Sequence, residues 1–308
     1  MLEIRSVNRS FGELRVLDDV SFDVRPGRMT GFIGANGAGK TTTMRIILGV
    51  LAAHGGQVTW DGEAVTQPVR QRFGYMPEER GLYPKMRVAD QIAYFGRLHG
   101  LDTSTARRNT ADLLDQLELT ARAGDPLETL SLGNQQRAQI AAALVHDPDL
   151  LILDEPFSGL DPIAVEVVLG VLRDRAAQGV PVLFSSHQLE VVERLCDDVV
   201  VISAGSIAAS GSRTELRSQF ATPRFELIVD SDAGWVRDVP GVRIVELDGA
   251  RVVFDTQGPD GAAGADGADT DTARPDQEVL DQAVRRGRVH SFAPVMPSLA
   301  EIFKEVVS

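Results

Sequence analysis

The sequence predicts an α/β protein: a doubly wound core of parallel strands and helices, preceded by an antiparallel β segment, interrupted by a helical insertion and followed by a small α+β region. Three observations lead there. Short runs that are apolar on both faces (Leu150 to Leu153, Val180 to Phe184, Val199 to Ile202) alternate with helix-period segments, as strands buried inside a parallel sheet do. The stretch Gly34-Ala35-Asn36-Gly37-Ala38-Gly39-Lys40-Thr41 has the G-x-x-x-x-G-K-[ST] spacing of a phosphate-binding loop and lies between an apolar run, Met29 to Ile33, and an apolar-periodic segment, Thr41 to Leu51. From about Arg224 the pattern changes to short alternating strands around a single helix.

Taken in order, Leu2 to Val7 and Val20 to Val24 alternate and predict antiparallel strands, with Pro26-Gly27 as the turn into the central strand. Phe11 lies between them, either a core residue or an exposed ring able to stack on a base. Gly55 to Gly62 reads as a strand and tight turn, and Arg72 to Met76 as another strand. From about Val88 to His146 the spacing is helical (Ile92, Phe95, Leu98; Leu113, Leu114, Leu117), which predicts an inserted helical subdomain at about 78–148, entered through Pro77-Glu78-Glu79. Helices are expected over Gln135 to Val145 and Ile163 to Ala177.

Beyond Arg224, Phe225 to Val229, Val242 to Leu247 and Arg251 to Phe254 predict strands, Glu278 to Arg286 a helix and Val289 to Ala293 a fourth strand. With a helical turn near Trp235 the order is that of a split βαβ unit. Residues 257–276, rich in Gly, Ala and Asp, are expected to form a flexible acidic loop whose aspartates are solvating charge rather than metal ligands. Leu299, Ile302, Phe303 and Val306 mark a final amphipathic helix. The expected domains are 1–219 and 220–308.

Composition narrows the function classes. The chain has 308 residues, 43% hydrophobic and 24% charged, enough for two domains of a soluble globular protein. A formal net charge of -13 argues against binding a phosphate backbone over a broad surface, so no nucleic-acid partner is expected. Cys196 is the single cysteine, which excludes an intramolecular disulfide and a cysteine metal cluster; it is expected as a core thiol in a reducing compartment. No apolar run approaches the ~20 residues that span a bilayer, and Met1-Leu2-Glu3-Ile4-Arg5 does not open like a signal peptide, so a cytosolic location is expected.

Two stretches carry chemistry. Gly34, Gly37 and Gly39 permit a tight loop whose N–H groups face phosphate oxygens, Lys40 supplies a point charge for the β- and γ-phosphates, and the Thr41 hydroxyl is a candidate Mg²⁺ ligand. The bland alternative is a glycine-rich turn with a chance lysine. Asp154-Glu155 closes a buried strand at the edge where α/β proteins bind ligands; Asp154 is expected to hold Mg²⁺ through water and Glu155 to polarise a water for attack on the γ-phosphate. Here the alternative is an acidic turn.

The order of motifs resembles the ATP-binding cassette of ABC transporters, which have a P-loop NTPase core. The residues carrying it are Gly34 to Thr41, Leu130-Ser131-Leu132-Gly133-Asn134-Gln135-Gln136-Arg137, Leu150 to Glu155, Ser158-Gly159-Leu160-Asp161, and Ser186-His187. The resemblance covers roughly the first 215 residues. It implies ATP and Mg²⁺ as ligands, with Phe11 against adenine and Gly34, Asn36, Gly37, Gly39, Lys40, Thr41 and Thr42 around the phosphates. It implies two cassettes sandwiching two nucleotides, with Ser131 and Gly133 of each capping the nucleotide of the other and Asp161 at the seam. His187 would touch the γ-phosphate and hold the attacking water, making Glu155 and His187 the catalytic pair.

Three positions depart from the family pattern: Leu132 stands where Gly is common, Asn134 where Gln is, and Glu78 where the loop sensing Mg²⁺ and the membrane partner usually has Gln. Pro77 to Pro84, the signature and the C-terminal extension resemble prokaryotic export cassettes related to drug-efflux and sodium-efflux ATPases. The implied protein is the ATPase subunit of an exporter, a homodimer or paired with a related cassette, peripheral to the cytoplasmic face of the membrane through a separate transmembrane permease. One rival is a soluble ABC-type ATPase acting on ribosomes or DNA; another is a nucleotide-binding regulatory module without turnover.

Overall fold

The computed structural model describes residues 1–79, 81–220, 223–256 and 274–307. The chain divides into two compact units, Met1–Arg213 together with Phe303–Ser308, and Thr214–Ile302. In chain order the first contains β1 (Leu2–Phe11), β2 (Leu14–Val24), β3 (Met29–Ile33), α1 (Lys40–Ile47), β4 (Gly55–Trp60), β5 (Glu63–Ala64), α2 (Gln67–Arg70) and β6 (Phe73–Met76). Then come α3 (Val88–Leu98), α4 (Thr103–Gln116), α5 (Leu132–Leu144), β7 (Leu150–Leu153), α6 (Pro162–Ala177), β8 (Val182–Ser186), α7 (Leu189–Leu195), β9 (Asp198–Ser203), β10 (Ser206–Ser212) and α8 (Arg213–Gln219), which runs across the division.

Two sheets build this unit, an antiparallel one in the order β2-β1-β4-β5 and a larger one in the order β10-β9-β3-β8-β7-β6. In the larger sheet β3 pairs in parallel with β8 and β9, and β7 pairs in parallel with β6 and β8. Every residue of β3, β7 and β8 is buried, which is why their sequences are dominated by apolar runs rather than alternations. The shared core gathers Leu2, Ile4, Val20 and Phe22 from the antiparallel sheet with Phe32, Ile152 and Val200 from the parallel one and Met44 and Ile47 from α1. Each such fully buried side chain stabilises the fold by about 1.5–3 kcal/mol. Register fixes the functional edge: Ile33 pairs with Ser186 and Leu153 with Phe184, so the segments after β3, β7 and β8 emerge side by side.

Between β6 and β7 the chain is helical, as its spacing predicts. α3, α4 and α5 carry it, with short 3-10 turns at Thr120–Arg122 and Leu127–Thr129. α4 is capped by Asp102, whose carboxylate accepts from Ser104 and Thr105 and is held well below the usual carboxylate range by those bonds. Cys196 is buried, and burial pushes its thiol well above the usual value, as expected of a core thiol.

The second unit contains β11 (Arg224–Val229), β12 (Val242–Asp248), β13 (Arg251–Thr256), α9 (Pro275–Arg286) and β14 (Val289–Pro294); α10 (Leu299–Val307) ends the chain's regular structure. Its sheet has the order β12-β13-β11-β14, with every neighbouring pair antiparallel, which is the split-βαβ order. The first helix of that motif is reduced to one 3-10 turn, Gly234–Asp238. Leu227, Val252 and Phe254 of the sheet pack with Val236 of that turn and with Val279 and Ala283 of α9.

Several expected boundaries shift. The helix after the phosphate loop ends at Ile47, not Leu51, because Gly49 with φ +69° turns the chain. The helix expected from Gln135 begins three residues earlier, at Leu132, where the Ser131 hydroxyl caps it. Phe11 lies on β1 itself, opposite Leu14 across a tight hairpin. Of the expected acidic loop, residues 257–273 lie outside the described residues, and Asp276 belongs to α9, which Pro275 opens.

Candidate functional site

The phosphate loop leaves β3 at Ile33 and enters α1 at Lys40. Two of its glycines are demanded by geometry. A Cβ on Gly34 would come within 2.5 Å of the Ile202 carbonyl oxygen, and Gly39 has φ +113° with its Cβ position 2.6 Å from Leu17. The Lys40 ammonium is folded back into the loop, donating to the Gly34 carbonyl at 2.7 Å and approaching the Ala35 carbonyl at 3.4 Å. Beside it the Thr41 hydroxyl donates to Asp154 Oδ2 at 2.8 Å.

Asp154 and Glu155 follow β7. Asp154 is 1% exposed and its backbone N–H donates to the Met76 carbonyl, which ties the end of β7 to β6. Glu155 has φ +52°, a left-handed conformation uncommon for a residue with a side chain, so the chain turns sharply there and presents its carboxylate at the edge. That carboxylate meets His187 from the end of β8, with Nδ1 2.9 Å from Oε2. The imidazole is 55% exposed, so it reaches both Glu155 and open space.

A cavity of about 420 Å³ opens over these groups. Phe11, Leu14 and Val16 form its apolar wall; Asn36, Gly37, Gly39, Lys40, Thr41 and Thr42 form its floor; Glu78, Asp154 and Glu155 stand on its acidic side. The Phe11 ring is 48% exposed, with the Arg9 guanidinium 4.7 Å from its centroid. A half-exposed aromatic beside a glycine-rich loop and a buried ammonium suits a planar base joined to a polyphosphate.

Gly34 lies beneath the loop, and its carbonyl serves Lys40. Ser131, Gly133 and Asp161 do not line this cavity. They form a second cluster: Ser131 caps α5 by accepting from the Asn134 N–H at 3.4 Å, Asp161 caps α6 by accepting from the Ala164 N–H at 2.9 Å, and a Cβ on Gly133 would lie 3.5 Å from Leu160. Two exposed apolar side chains, Leu132 and Ile163, flank that cluster.

Sequence reasoning missed four supporting residues. Gln136 donates to the carbonyls of Glu155 (3.0 Å) and Pro156 (3.1 Å), and Gln139 to those of Pro77 (2.8 Å) and Glu79 (3.2 Å), so α5 holds both site loops in place. The visible signal was two glutamines on the buried face of an expected helix. Ser185, inside β8, bonds to both Asp154 and Glu155. Tyr75 of β6 has its hydroxyl pushed up first by burial and then by the Asp154 carboxylate, with Arg45 opposing.

Residues 17–158 match the ABC transporter family. The uncharacterized ABC transporter ATP-binding protein YhaQ of Bacillus subtilis (strain 168) is 37% identical over 309 residues, spanning 100% of this chain and 98% of its own length. The Nod factor export ATP-binding protein I of Ralstonia nicotianae is 37% identical over 219 residues, 70% of this chain and 68% of its own. A solved structure described as the ATP-binding subunit of an ABC transporter superposes with a TM-score of 0.67 at 33% identity, covering 71% of this chain and 93% of that one. A phosphate loop, a buried Asp-Glu pair and a histidine bound to that glutamate therefore converge in a chain that belongs, along its full length, to the ATP-binding subunits of ABC transporters and is an ATPase.

Proposed function

We propose that this chain is the ATP-hydrolysing subunit of an exporter, closing on MgATP with a second cassette and driving a separate membrane permease. The observation that carries the paired arrangement is the separation of the two clusters. Ser131 and Gly133 begin a helix of 13 residues, an anion-binding end, yet they do not line their own chain's phosphate cavity. A cavity in one chain and an exposed helix start in another complete each other across an interface, and the exposed Leu132 and Ile163 give that interface apolar surface to bury. Asp161 stands at the same seam. Export rests on the similarity to the Nod factor export protein, and the separate permease on the similarity to a structure described as the ATP-binding subunit of an ABC transporter. On this reading the chain sits at the cytoplasmic face, held there by its partner.

Within the site Lys40 neutralises phosphate charge while Asn36, Gly37, Gly39 and Thr42 line the phosphate bed, and Phe11 stacks on the base. The donor set fits Mg²⁺: one hydroxyl and one carboxylate, already within 2.8 Å of each other, with Glu78 facing the same cavity and room for water and phosphate oxygens. When bound, the metal supplies charge stabilisation at the phosphates. Glu155 accepts the proton of the attacking water, and His187, bonded to Glu155, orients that water against the γ-phosphate.

The test is Ser131→Arg. It should leave nucleotide binding by the monomer intact and abolish the ATP-dependent dimer in size-exclusion chromatography; an unchanged dimer would count against the paired arrangement. Steady-state ATPase activity with and without membranes carrying a candidate permease tests the coupling. We assign nucleotide binding to residues 1–219 and an accessory role to 220–308. A chain ending at Gln219 should therefore bind ATP, and failure to do so would move the boundary.

A further inference from the structure

We propose that Ser185 is a positioning residue of the ATPase site, setting the orientation of the Asp154 carboxylate and the turn at Glu155 at once. The proposal rests on the reading of Asp154 as a metal-side carboxylate and Glu155 as the base. Ser185 is fully buried on β8, with 0% exposure. Its Oγ accepts from the Glu155 backbone N–H at 2.8 Å and donates to Asp154 Oδ1 at 2.6 Å. The direction of both bonds is settled. A backbone N–H only donates, so the hydroxyl accepts there and spends its single proton on Asp154.

The consequence is a one-way relay, from the Glu155 N–H through the Ser185 O–H to Asp154 Oδ1. The other carboxylate oxygen, Oδ2, accepts from Thr41. Each oxygen of Asp154 therefore has its own assigned partner, and the carboxylate plane is fixed with Oδ2 on the Thr41 side. Glu155 sits at φ +52°, a conformation that surrounding structure must hold. The bond from its N–H to a side chain near the end of β8 does so, while Gln136 donates to its carbonyl. Ser185→Ala would orphan a buried N–H and release one oxygen of Asp154 together.

Polar groups that orient a metal-side ligand typically change metal affinity or turnover by about 10–100-fold when removed. The experiment compares wild type, Ser185→Ala and Ser185→Thr in three measurements on the full chain: binding of ATP in excess chelator, half-saturation by Mn²⁺ in the presence of ATP, and steady-state hydrolysis. For Ser185→Ala, metal-free ATP affinity should stay within about twofold of wild type, which also reports an intact fold, while Mn²⁺ half-saturation rises and kcat falls by about 10–100-fold with little change in the KM for ATP. Ser185→Thr keeps the hydroxyl and should recover most of both losses. Unchanged Mn²⁺ half-saturation and kcat in Ser185→Ala would overturn the proposal, as would an equal loss of metal-free ATP binding, which would make Ser185 a packing residue only. If the wild-type chain shows no metal-dependent hydrolysis, the parent reading of the site fails first, and that outcome is distinct from a defect confined to the variant.

Discussion

The parallel sheet of the ATP-binding unit and the antiparallel sheet of the C-terminal unit bury polar groups for different ends. In the parallel sheet four of them gather at one edge: Asp154, Glu155, Ser185 and Ser186 are all buried where β7 and β8 finish, and the first three are bonded to one another or to groups facing a cavity, while buried Asp198 at the start of β9 pairs with Arg28. In the antiparallel sheet buried Asp255 and a set of more exposed charges cross-link strands. Arg224 of β11 pairs with Asp255 of β13, which also meets Arg243 of β12, while Arg251 joins Glu226 and Glu246. Burial pushes the Asp255 carboxyl up, but its bonds to Arg224 and Arg243 outweigh that and hold it below the usual value. The cluster after β7 faces a cavity; the pairs around Asp255 join neighbouring strands.

Removing a charge from each sheet separates the two. Glu155→Gln should retain MgATP binding and lose hydrolysis by ~10²-fold or more, since an amide cannot take the proton of water; near wild-type turnover would remove Glu155 from its role. Asp255→Ala should leave nucleotide affinity unchanged but lower the stability of the C-terminal unit by roughly 1–3 kcal/mol, because the half-buried Arg224 loses one carboxylate partner and keeps Glu301. Calorimetry reads this as a downward shift of one transition only. A shift in ATP binding would mean the two sheets are not independent.

A smaller effect is expected within the helical insertion. His146 stacks on His99 at 3.7 Å, and burial, aided by His99, lowers its pKa from 6.5 to about 4. The folded state favours neutral His146, so its contribution is fully present above pH 6.5 and is lost as the pH falls toward 4. Between pH 7.5 and 5 this removes about 2 kcal/mol of stability, and His146→Gln should flatten that part of the denaturation profile. Least affected should be nucleotide affinity in Glu78→Ala, within about tenfold, or 1.4 kcal/mol, since this carboxylate faces the cavity from an exposed position. Its expected loss is in stimulation by the membrane partner, and unchanged coupling would leave it a solvated surface charge.

How far the sequence anticipates these sheets follows from how each is buried. β3, β7, β8 and β9 announce themselves because strands covered on both faces carry apolar runs in place of an alternation. β10 does not, since Ser206–Ser212 is short on β-branched and aromatic residues and owes its place to pairing with β9. The start of α5 is hidden by Gly133 and Asn134, poor helix formers that the Ser131 cap makes tolerable. The phosphate loop and Asp154-Glu155 are legible because their chemistry dictates residue types at fixed spacing. Ser185 and Gln139 are not, because they act through contacts between segments 31 and 62 residues apart, which only the fold creates.

The lysine of the phosphate loop has one more consequence. An ammonium has three protons, and Lys40 directs them toward two carbonyls of its own loop as well as the cavity, so the same residue props up the loop and offers charge to a ligand. Ordering a glycine-rich loop costs entropy. Here that cost is met once, when the chain folds, instead of at every arrival of nucleotide. A nucleotide arriving there meets a loop that Lys40 already braces.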